Sequence, residues 1–213
     1  IGHGSLDLPL ACARAKALAT RTFKFTVTGP HMLAKTLINK HYPDTPALAH
    51  AIADALAAQV RHLDADIVQI DEANLPGHPE EWEWAASAMN RVLDAVPGKP
   101  AVHLCFGNYG GQTVQKGTWD SLIQYLNALH ADHVVLECAH RPPEELQAFK
   151  ELKPEIGFGL GVVDIKATDV ESADQVARAV VDFVHEYTKR RTARRRRGRR
   201  RWRRFGAAAV REQ

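Results

Sequence analysis

Cysteine is scarce in this sequence, and its three positions follow no regular spacing. The chain of 213 residues contains Cys12, Cys105 and Cys138. An odd number of widely separated cysteines argues against the disulfide framework of a small secreted protein. The sequence therefore favours a reducing compartment, in which a cysteine serves as a thiol or as a metal ligand, and we expect a cytoplasmic protein.

Long hydrophobic runs are also absent. No run reaches the roughly 18 apolar residues that a membrane-spanning helix needs, and the first residues lack the basic and apolar pattern of an export signal. The sequence therefore predicts neither membrane insertion nor export. Its 45% of hydrophobic residues are enough to form a substantial core.

Acidic and basic residues are divided unevenly, so the formal net charge of +3 averages two unlike segments. Residues 189–213 hold one lysine and twelve arginines against one glutamate, a net charge of +12. Residues 1–188 hold the other 15 basic and 24 acidic side chains, a net charge of −9. Clustered arginines can bind nucleic acid by counterion release, but so abrupt a change in composition is also typical of translation out of frame. We predict a catalytic domain over 1–188 and a disordered or frameshifted tail over 189–213, and we infer no nucleic-acid binding from the tail.

Apolar strand patterns alternate with helical patterns through most of the acidic segment. The strand patterns are short and rich in β-branched residues, and the helical patterns repeat with a period near 3.6. We predict strands at 23–28, 67–70, 101–106, 133–136 and 156–163, and helices at 45–63, 80–96, 118–130, 146–149 and 172–183.

Two of these helices have recognisable first turns. Thr45 is the predicted N-cap of the first helix, because a first-turn proline follows it. Ser172 and Gln175 have the spacing of a capping box, which opens the last helix with Val180 and Phe183 on its buried stripe.

Five consecutive strand–helix units predict an α/β fold with a parallel sheet. Polar residues end several of the strands, as in a (β/α)8 barrel, whose functional groups gather at the carboxyl ends. A doubly wound sheet would instead carry a glycine-rich turn between a strand and a helix, whereas the glycines at 157, 159 and 161 lie within a strand. We therefore predict an incomplete (β/α)8 barrel of about five units, with tight strand packing at these glycines.

A pair of metal-binding residue types lies in the third predicted strand. His103 and Cys105 are two residues apart, so their side chains lie on the same face. Glu137 ends the next strand and would reach the same edge of the sheet. Nitrogen, sulfur and oxygen ligands with an open position are typical of catalytic zinc. The alternatives are a buried cysteine beside a hydrogen-bonded histidine and a glutamate in a surface ion pair.

Five segments together resemble the catalytic barrel of cobalamin-independent methionine synthases, especially the short forms of that family. They are 25–30, 68–72, 103–109, 135–137 and 159–166, which occur in the family's order within 23–184. The resemblance implies methyl transfer to the zinc-bound thiol of homocysteine, which gives methionine. It also implies that His103, Cys105 and Glu137 are zinc ligands and that Asp71 receives the substrate ammonium.

The same resemblance implies further site residues and a methyl donor. Glu72 and Asn108 are expected to bind substrate, and Asp164 and Lys166 are expected to be catalytic. The donor would be a methylfolate or a methylcorrinoid protein, because Lys166 stands where larger members carry a histidine. The alternatives are a loop-capping Asp164, a solvated Lys166 and an ordinary loop position for Asn108.

Two family features have no counterpart in this sequence. The family's fourth zinc ligand, a cysteine after a later strand, falls where this chain has its arginine-rich segment, and Cys138 and His140 are poor substitutes. The family's opening strands would precede residue 23. We therefore expect a fragment that binds zinc weakly or not at all and has little activity. Another thiol alkyltransferase and a non-catalytic, basic-tailed nucleic-acid-binding protein are the alternative functions.

Overall fold

Five parallel strands form one sheet, in the order in which they occur along the chain. The computed structural model describes residues 1, 6–139, 141–142 and 144–195, with side chains as far as residue 185. Each strand pairs in parallel with the next, which confirms the predicted series of strand–helix units. The strands are β1 (Lys24–Thr28), β2 (Ile67–Glu72), β3 (Lys99–Leu104), β4 (His133–Glu137) and β5 (Gly157–Gly161).

Helices and short 3-10 turns connect the strands. The 3-10 segments are Leu75–Gly77, Pro79–Glu81, Asp120–Leu122 and Glu145–Glu151. Within the described residues, no helix is both long and apolar enough to cross a membrane. The helices are α1 (Leu8–Lys16), α2 (Pro30–Thr36), α3 (Thr45–Val60), α4 (Trp82–Leu93), α5 (Ile123–Ala128) and α6 (Ala173–Arg195).

Two of the helices, α1 and α2, were not predicted. The Asp7 side chain caps α1 by accepting the Leu10 N–H at 3.0 Å. Gly29 and Pro30 do end β1, but they also serve as the N-cap and the first residue of α2. A proline fits that first position because its missing N–H would have no partner there.

The predicted helix starts are partly confirmed. Asp44, not Thr45, is the N-cap of α3, and its Oδ1 accepts the Ala47 N–H at 2.7 Å. The capping box before α6 is confirmed, because the Ser172 N–H donates to Gln175 Oε1 at 2.7 Å and Gln175 N–H donates back to Ser172 Oγ at 3.3 Å. The predicted buried stripe of α6 is wrong at Val180, which is 38% exposed.

The sheet has two chemically different faces. One face is apolar and packs against the helices, where it forms the core of the protein. Alternate positions on the other face are half-buried and include polar side chains. The buried apolar face includes Val68, Ile70, Val102, Leu104, Val134 and Leu136.

The glycines of β5 allow a close approach to β4. A β-carbon at Gly161 would lie 2.7 Å from the Leu136 carbonyl oxygen, and one at Gly157 would lie 2.9 Å from the His133 β-carbon. Both distances are too short for a larger residue without movement of the strands. The glycines therefore serve tight strand packing, as predicted.

Tyr125 in α5 is fully buried, and its hydroxyl has no hydrogen-bond partner within the described part of the chain. Burial raises the pKa of this phenol well above its usual value, and the charge of Glu72 adds to the effect. A buried hydroxyl without a hydrogen-bond partner destabilises the folded protein, because it has lost its hydrogen bonds to water.

We predict that Tyr125→Phe raises the free energy of unfolding by about 1 kcal/mol, because it removes the unpaired hydroxyl and keeps the ring packing. Urea denaturation measures the change. Tyr109→Phe is the control, since Tyr109 is 84% exposed and its hydroxyl is not buried. A destabilised Tyr125→Phe protein would contradict the prediction.

Candidate functional site

The carboxyl ends of β2, β3 and β4 bring four of the predicted site residues to one face of the sheet. Asp71 is paired in register with His103, and His103 with Val135. Cys105 and Glu137 each follow this row by two residues, so they lie on the same face. All four predicted residues are half-buried. We call this surface the inner face.

The hydrogen bond of His103 leaves one ring nitrogen available for a ligand. Its Nδ1 lies 3.0 Å from the Val135 carbonyl oxygen. A carbonyl oxygen only accepts, so this contact selects the tautomer of the neutral imidazole in which Nδ1 carries the proton and Nε2 keeps its lone pair. Metal-binding histidines in proteins have this arrangement, with a backbone carbonyl fixing the tautomer.

Glu137 is held by donors at both carboxylate oxygens. Oε2 accepts the Phe106 N–H at 3.1 Å, and Oε1 forms an ion pair with the Lys166 ammonium. The side chains of Lys166 and Glu137 are only 6% and 13% exposed. The structure thus brings the predicted catalytic lysine into contact with a predicted metal ligand.

The thiol of Cys105 is half-buried between these groups. Burial raises its pKa, and the negative charges of Glu137 and Asp71 add to the increase. A backbone hydrogen bond from Gly107 and the positive charge of Lys166 act in the opposite direction without reversing the shift. The thiol is therefore protonated at neutral pH, and a bound cation would favour its thiolate form.

Donor types on the inner face suit zinc, but the donor atoms are not closely grouped. Within the described ranges, His78, Glu80 and Glu81 are the one set of three possible ligands whose donor atoms all lie within 4.8 Å. The donor atoms of His103, Cys105 and Glu137 are therefore farther apart than this. In the set of His78, Glu80 and Glu81, the Glu81 carboxylate is already engaged, because it pairs with His31 and Lys35.

Two loops meet beside the inner face. Asp164 caps the loop after β5, because its Oδ1 accepts the backbone N–H groups of Lys166 at 2.8 Å and Ala167 at 2.9 Å. The loop after β3 contains Asn108, which is exposed, and Gly111, where a β-carbon would lie 3.6 Å from the Lys166 carbonyl oxygen. Asp164 therefore fixes the segment from which Lys166 reaches Glu137.

Asp71 is connected to a chain of hydrogen bonds along the inner face. The Gln69 amide donates to Asp71 Oδ1 at 2.8 Å, and Lys24 Nζ donates to Gln69 Oε1 at 2.8 Å. This contact occupies one carboxylate oxygen and orients the side chain. The other oxygen can accept a bond from a cationic group of a substrate.

Glu72, which the sequence analysis predicts as a substrate-binding residue, lies on the opposite face of the sheet from Asp71. Its side chain is fully buried. Oε1 accepts the N–H groups of Asn74 at 2.8 Å and Leu75 at 3.1 Å, and Oε2 accepts the Met32 N–H at 2.9 Å. Neighbouring residues of a strand face opposite sides of the sheet, so Glu72 stabilises the turn after β2.

A buried histidine that the sequence did not indicate lies next to Glu72. His31 is fully buried, with Nδ1 3.2 Å from Glu72 Oε1 and Nε2 2.8 Å from Glu81 Oε2. Lys35 Nζ is 3.1 Å from the other oxygen of Glu81, and the Trp84 ring centroid is 4.8 Å from that of His31. Glu72 and Glu81 are 41 and 50 residues from His31 along the chain, so no local pattern reveals the cluster.

The charges around His31 favour its protonated form. Burial alone would lower the pKa of the imidazole, but the hydrogen bonds and charges of Glu72 and Glu81 outweigh burial and raise it. The pKa of Glu81 is lowered: burial opposes the change, but His31 and Lys35 stabilise the carboxylate. The cluster is therefore a set of ion pairs that joins α2 to the end of β2.

The remaining candidates include the two poor substitutes for a fourth ligand. Cys138 is buried, and its Sγ donates to the Leu136 carbonyl oxygen at 3.4 Å. Burial raises the pKa of this thiol to about 12, so it is an unsuitable metal ligand. His140 lies outside the described residues, as do residues 196–213 of the arginine-rich segment.

A series of parallel strand–helix units with polar side chains at the carboxyl ends defines part of a barrel enzyme. The sequence matches the family described as "Cobalamin-independent synthase, Catalytic domain" over residues 10–193. The chain belongs to this family.

Relatives and a solved structure agree with that assignment. The methionine synthases of Sulfurisphaera tokodaii and Thermococcus kodakarensis are 30% and 32% identical over 161 residues, which cover 74% of this chain and 44% of each relative. The chain thus spans less than half the length of these relatives. A B12-independent methionine synthase from Shewanella sp. W3-18-1, solved in complex with selenomethionine, has a TM-score of 0.73 at 23% identity. The structural match covers 88% of this chain and 57% of the solved chain, and it confirms the predicted barrel fold.

We predict that the His31 cluster makes the free energy of unfolding depend on pH. The pKa of His31 is higher in the folded protein, so its stabilising contribution is complete below about pH 6.5 and is lost as pH rises through the folded value. We therefore expect the wild-type free energy of unfolding, measured by urea denaturation, to fall from about pH 6 to about pH 8.5. The fall should be smaller in His31→Gln.

The control is His62→Gln, which changes an exposed histidine and should keep the wild-type difference between the two pH values. Equal pH dependence in wild type and His31→Gln would contradict the prediction. Circular dichroism establishes that each variant is folded before the comparison.

Proposed function

We propose that this chain transfers a methyl group to the thiol of homocysteine and so forms methionine. Its family membership supports this reaction, and its relatives are named methionine synthases. The observation that carries the proposal is the joint position of Asp71, His103, Cys105 and Glu137 on the inner face. That face offers an acceptor for an amino-acid ammonium beside donors for a thiol-binding metal ion.

The proposed metal ion is zinc, held by His103, Cys105 and Glu137. The free Nε2 of His103 fits this role, and the three donor types suit zinc. When bound, zinc lowers the pKa of a coordinated thiol and so supplies a sulfur nucleophile at neutral pH. The sulfur–methyl bond forms as the donor–methyl bond breaks, and the thiol proton is released.

Asp71 and Asn108 are the proposed substrate-binding residues. The Gln69 contact orients the Asp71 carboxylate, which leaves an oxygen for the substrate ammonium. Asn108 is exposed on the loop after β3, where its amide can donate to the substrate carboxylate. A charged amino acid bound in this way would present its side-chain thiol to the inner face.

Asp164 and Lys166 have different proposed roles in this reaction. Asp164 is a positioning residue, because it contacts the backbone of the Lys166 loop. Lys166 contacts Glu137 directly and acts at the metal ligands.

The proposed methyl donor is a methylfolate or a methylcorrinoid protein. The same inner face would also suit an enzyme that transfers an alkyl group to a thiol other than that of homocysteine. No observation favours nucleic-acid binding.

We predict that the purified protein binds one zinc ion weakly, that Cys105→Ala abolishes the binding, and that Cys138→Ala retains it. The reason is that Cys105 lies on the inner face with the other donors, whereas Cys138 is buried away from them. Equilibrium dialysis followed by metal analysis gives the stoichiometry, and methyl transfer to homocysteine is assayed on the same samples.

Bound zinc present in equal amount in the two cysteine variants would contradict the assignment of Cys105. Absence of zinc from the wild type and from both variants would contradict the zinc site as a whole. The two results are distinguishable in one experiment.

We also predict that Asp71→Asn weakens homocysteine binding by about tenfold or more and leaves zinc binding unchanged, because the lost interaction is a charge-assisted hydrogen bond. Calorimetric titration with homocysteine measures the change. Asp54→Asn is the control, since Asp54 is exposed and pairs with Arg91. Unchanged homocysteine affinity in Asp71→Asn would contradict the proposed role.

A further inference from the structure

Lys166 and Glu137 form an ion pair that is largely shielded from water. Their side chains are 6% and 13% exposed, whereas those of Arg91 and Asp54 are 46% and 64% exposed. Solvent screens a shielded pair much less than an exposed one. The Lys166 ammonium is therefore a strong local positive charge at the carboxylate proposed as a metal ligand.

This pairing leaves Glu137 without an unoccupied oxygen. Phe106 N–H donates to Oε2, and the ammonium contacts Oε1. The donor atoms of Glu137, His103 and Cys105 are also not grouped within 4.8 Å of one another. A divalent ion bound to Oε1 would lie close to the ammonium, and two positive charges at such a distance repel strongly in a partly buried site.

The hydrogen bonds that hold the Lys166 loop act on its backbone, whereas the Lys166 ammonium contacts the Glu137 carboxylate. Asp164 holds the N–H groups of Lys166 and Ala167, and Gly111 lies against the Lys166 carbonyl oxygen. The ammonium sits at the end of four methylene groups and is not part of this network. It can therefore leave Glu137 by rotation of the side chain while the loop stays in place.

We propose that the Lys166 ammonium competes with the metal ion for Glu137, so that metal binding requires the ion pair to open. This inference rests on the proposed metal site and adds a residue that sets its affinity. Lys166 thereby acts as the internal counterion of Glu137 whenever a metal ion is not bound. Removal of its charge should tighten metal binding, although it removes a contact from the folded protein.

The test compares zinc affinity in wild type, Lys166→Met and Lys166→Gln by calorimetric titration. Met keeps the length and apolar character of the stem, and Gln keeps a hydrogen-bond donor without the charge. We expect zinc to bind either variant about tenfold or more tightly than wild type, the effect of one charge-assisted contact. Cobalt absorption bands report thiolate coordination, and circular dichroism reports folding.

Two controls locate the effect. Lys153→Met removes the same charge from an exposed lysine and should leave the affinity unchanged. In a Cys105→Ala background, the gain from Lys166→Met should disappear, because the ion would then lack its sulfur ligand. A gain that persists without Cys105 would overturn the inference, since the metal ion would then bind elsewhere.

The outcomes separate this inference from the proposed function. Equal or weaker zinc affinity in both Lys166 variants, with binding still lost in Cys105→Ala, would overturn the competition and leave the metal site intact. Absence of zinc binding in wild type and in all variants would overturn both. Tighter binding in either folded Lys166 variant, dependent on Cys105, supports the competition.

Discussion

The parallel register of β2, β3 and β4 is the constraint on which the rest of the structure depends. It places Asp71 beside His103 and His103 beside Val135. Since side chains alternate between the two faces, this register also sends the neighbouring apolar residues into the core. A shift of one residue in any strand would bury the polar groups and expose the core residues, so packing of the helices maintains the site.

The inner face needs internal partners for its charges because it is only partly open to water. Lys24 and Gln69 lead to Asp71, and Lys166 pairs with Glu137. The opposite face stabilises the buried carboxylate of Glu72 differently, because backbone N–H groups and His31 surround it. Adjacent acids of one strand therefore have different environments, because Asp71 is half-buried on the inner face and Glu72 is buried in the core.

The sequence was sufficient for the parts of the fold that depend on local periodicity. Alternation within a strand predicted the five strands and the shared face of His103 and Cys105. Contacts between distant segments left no such pattern, so the sequence indicated neither the His31 cluster nor the contacts that Glu72 makes with it. Gly29 and Pro30 both end β1 and begin α2, and the short helix that follows them has no periodic pattern long enough to predict it. Site roles inferred from the family resemblance remain proposals.

The proposed competition accounts for a lysine at residue 166, because the inner face would then have a metal-free and a metal-bound state. An unpaired carboxylate in a partly buried site is costly, so Glu137 needs a positive partner when no metal ion is bound. Arginine would bind both carboxylate oxygens with a rigid fork and would be difficult to displace, whereas lysine offers a single mobile charge. Phe106 N–H already occupies Oε2, which leaves one oxygen for that charge. A lysine can therefore stabilise the metal-free protein and still release the carboxylate to a metal ion.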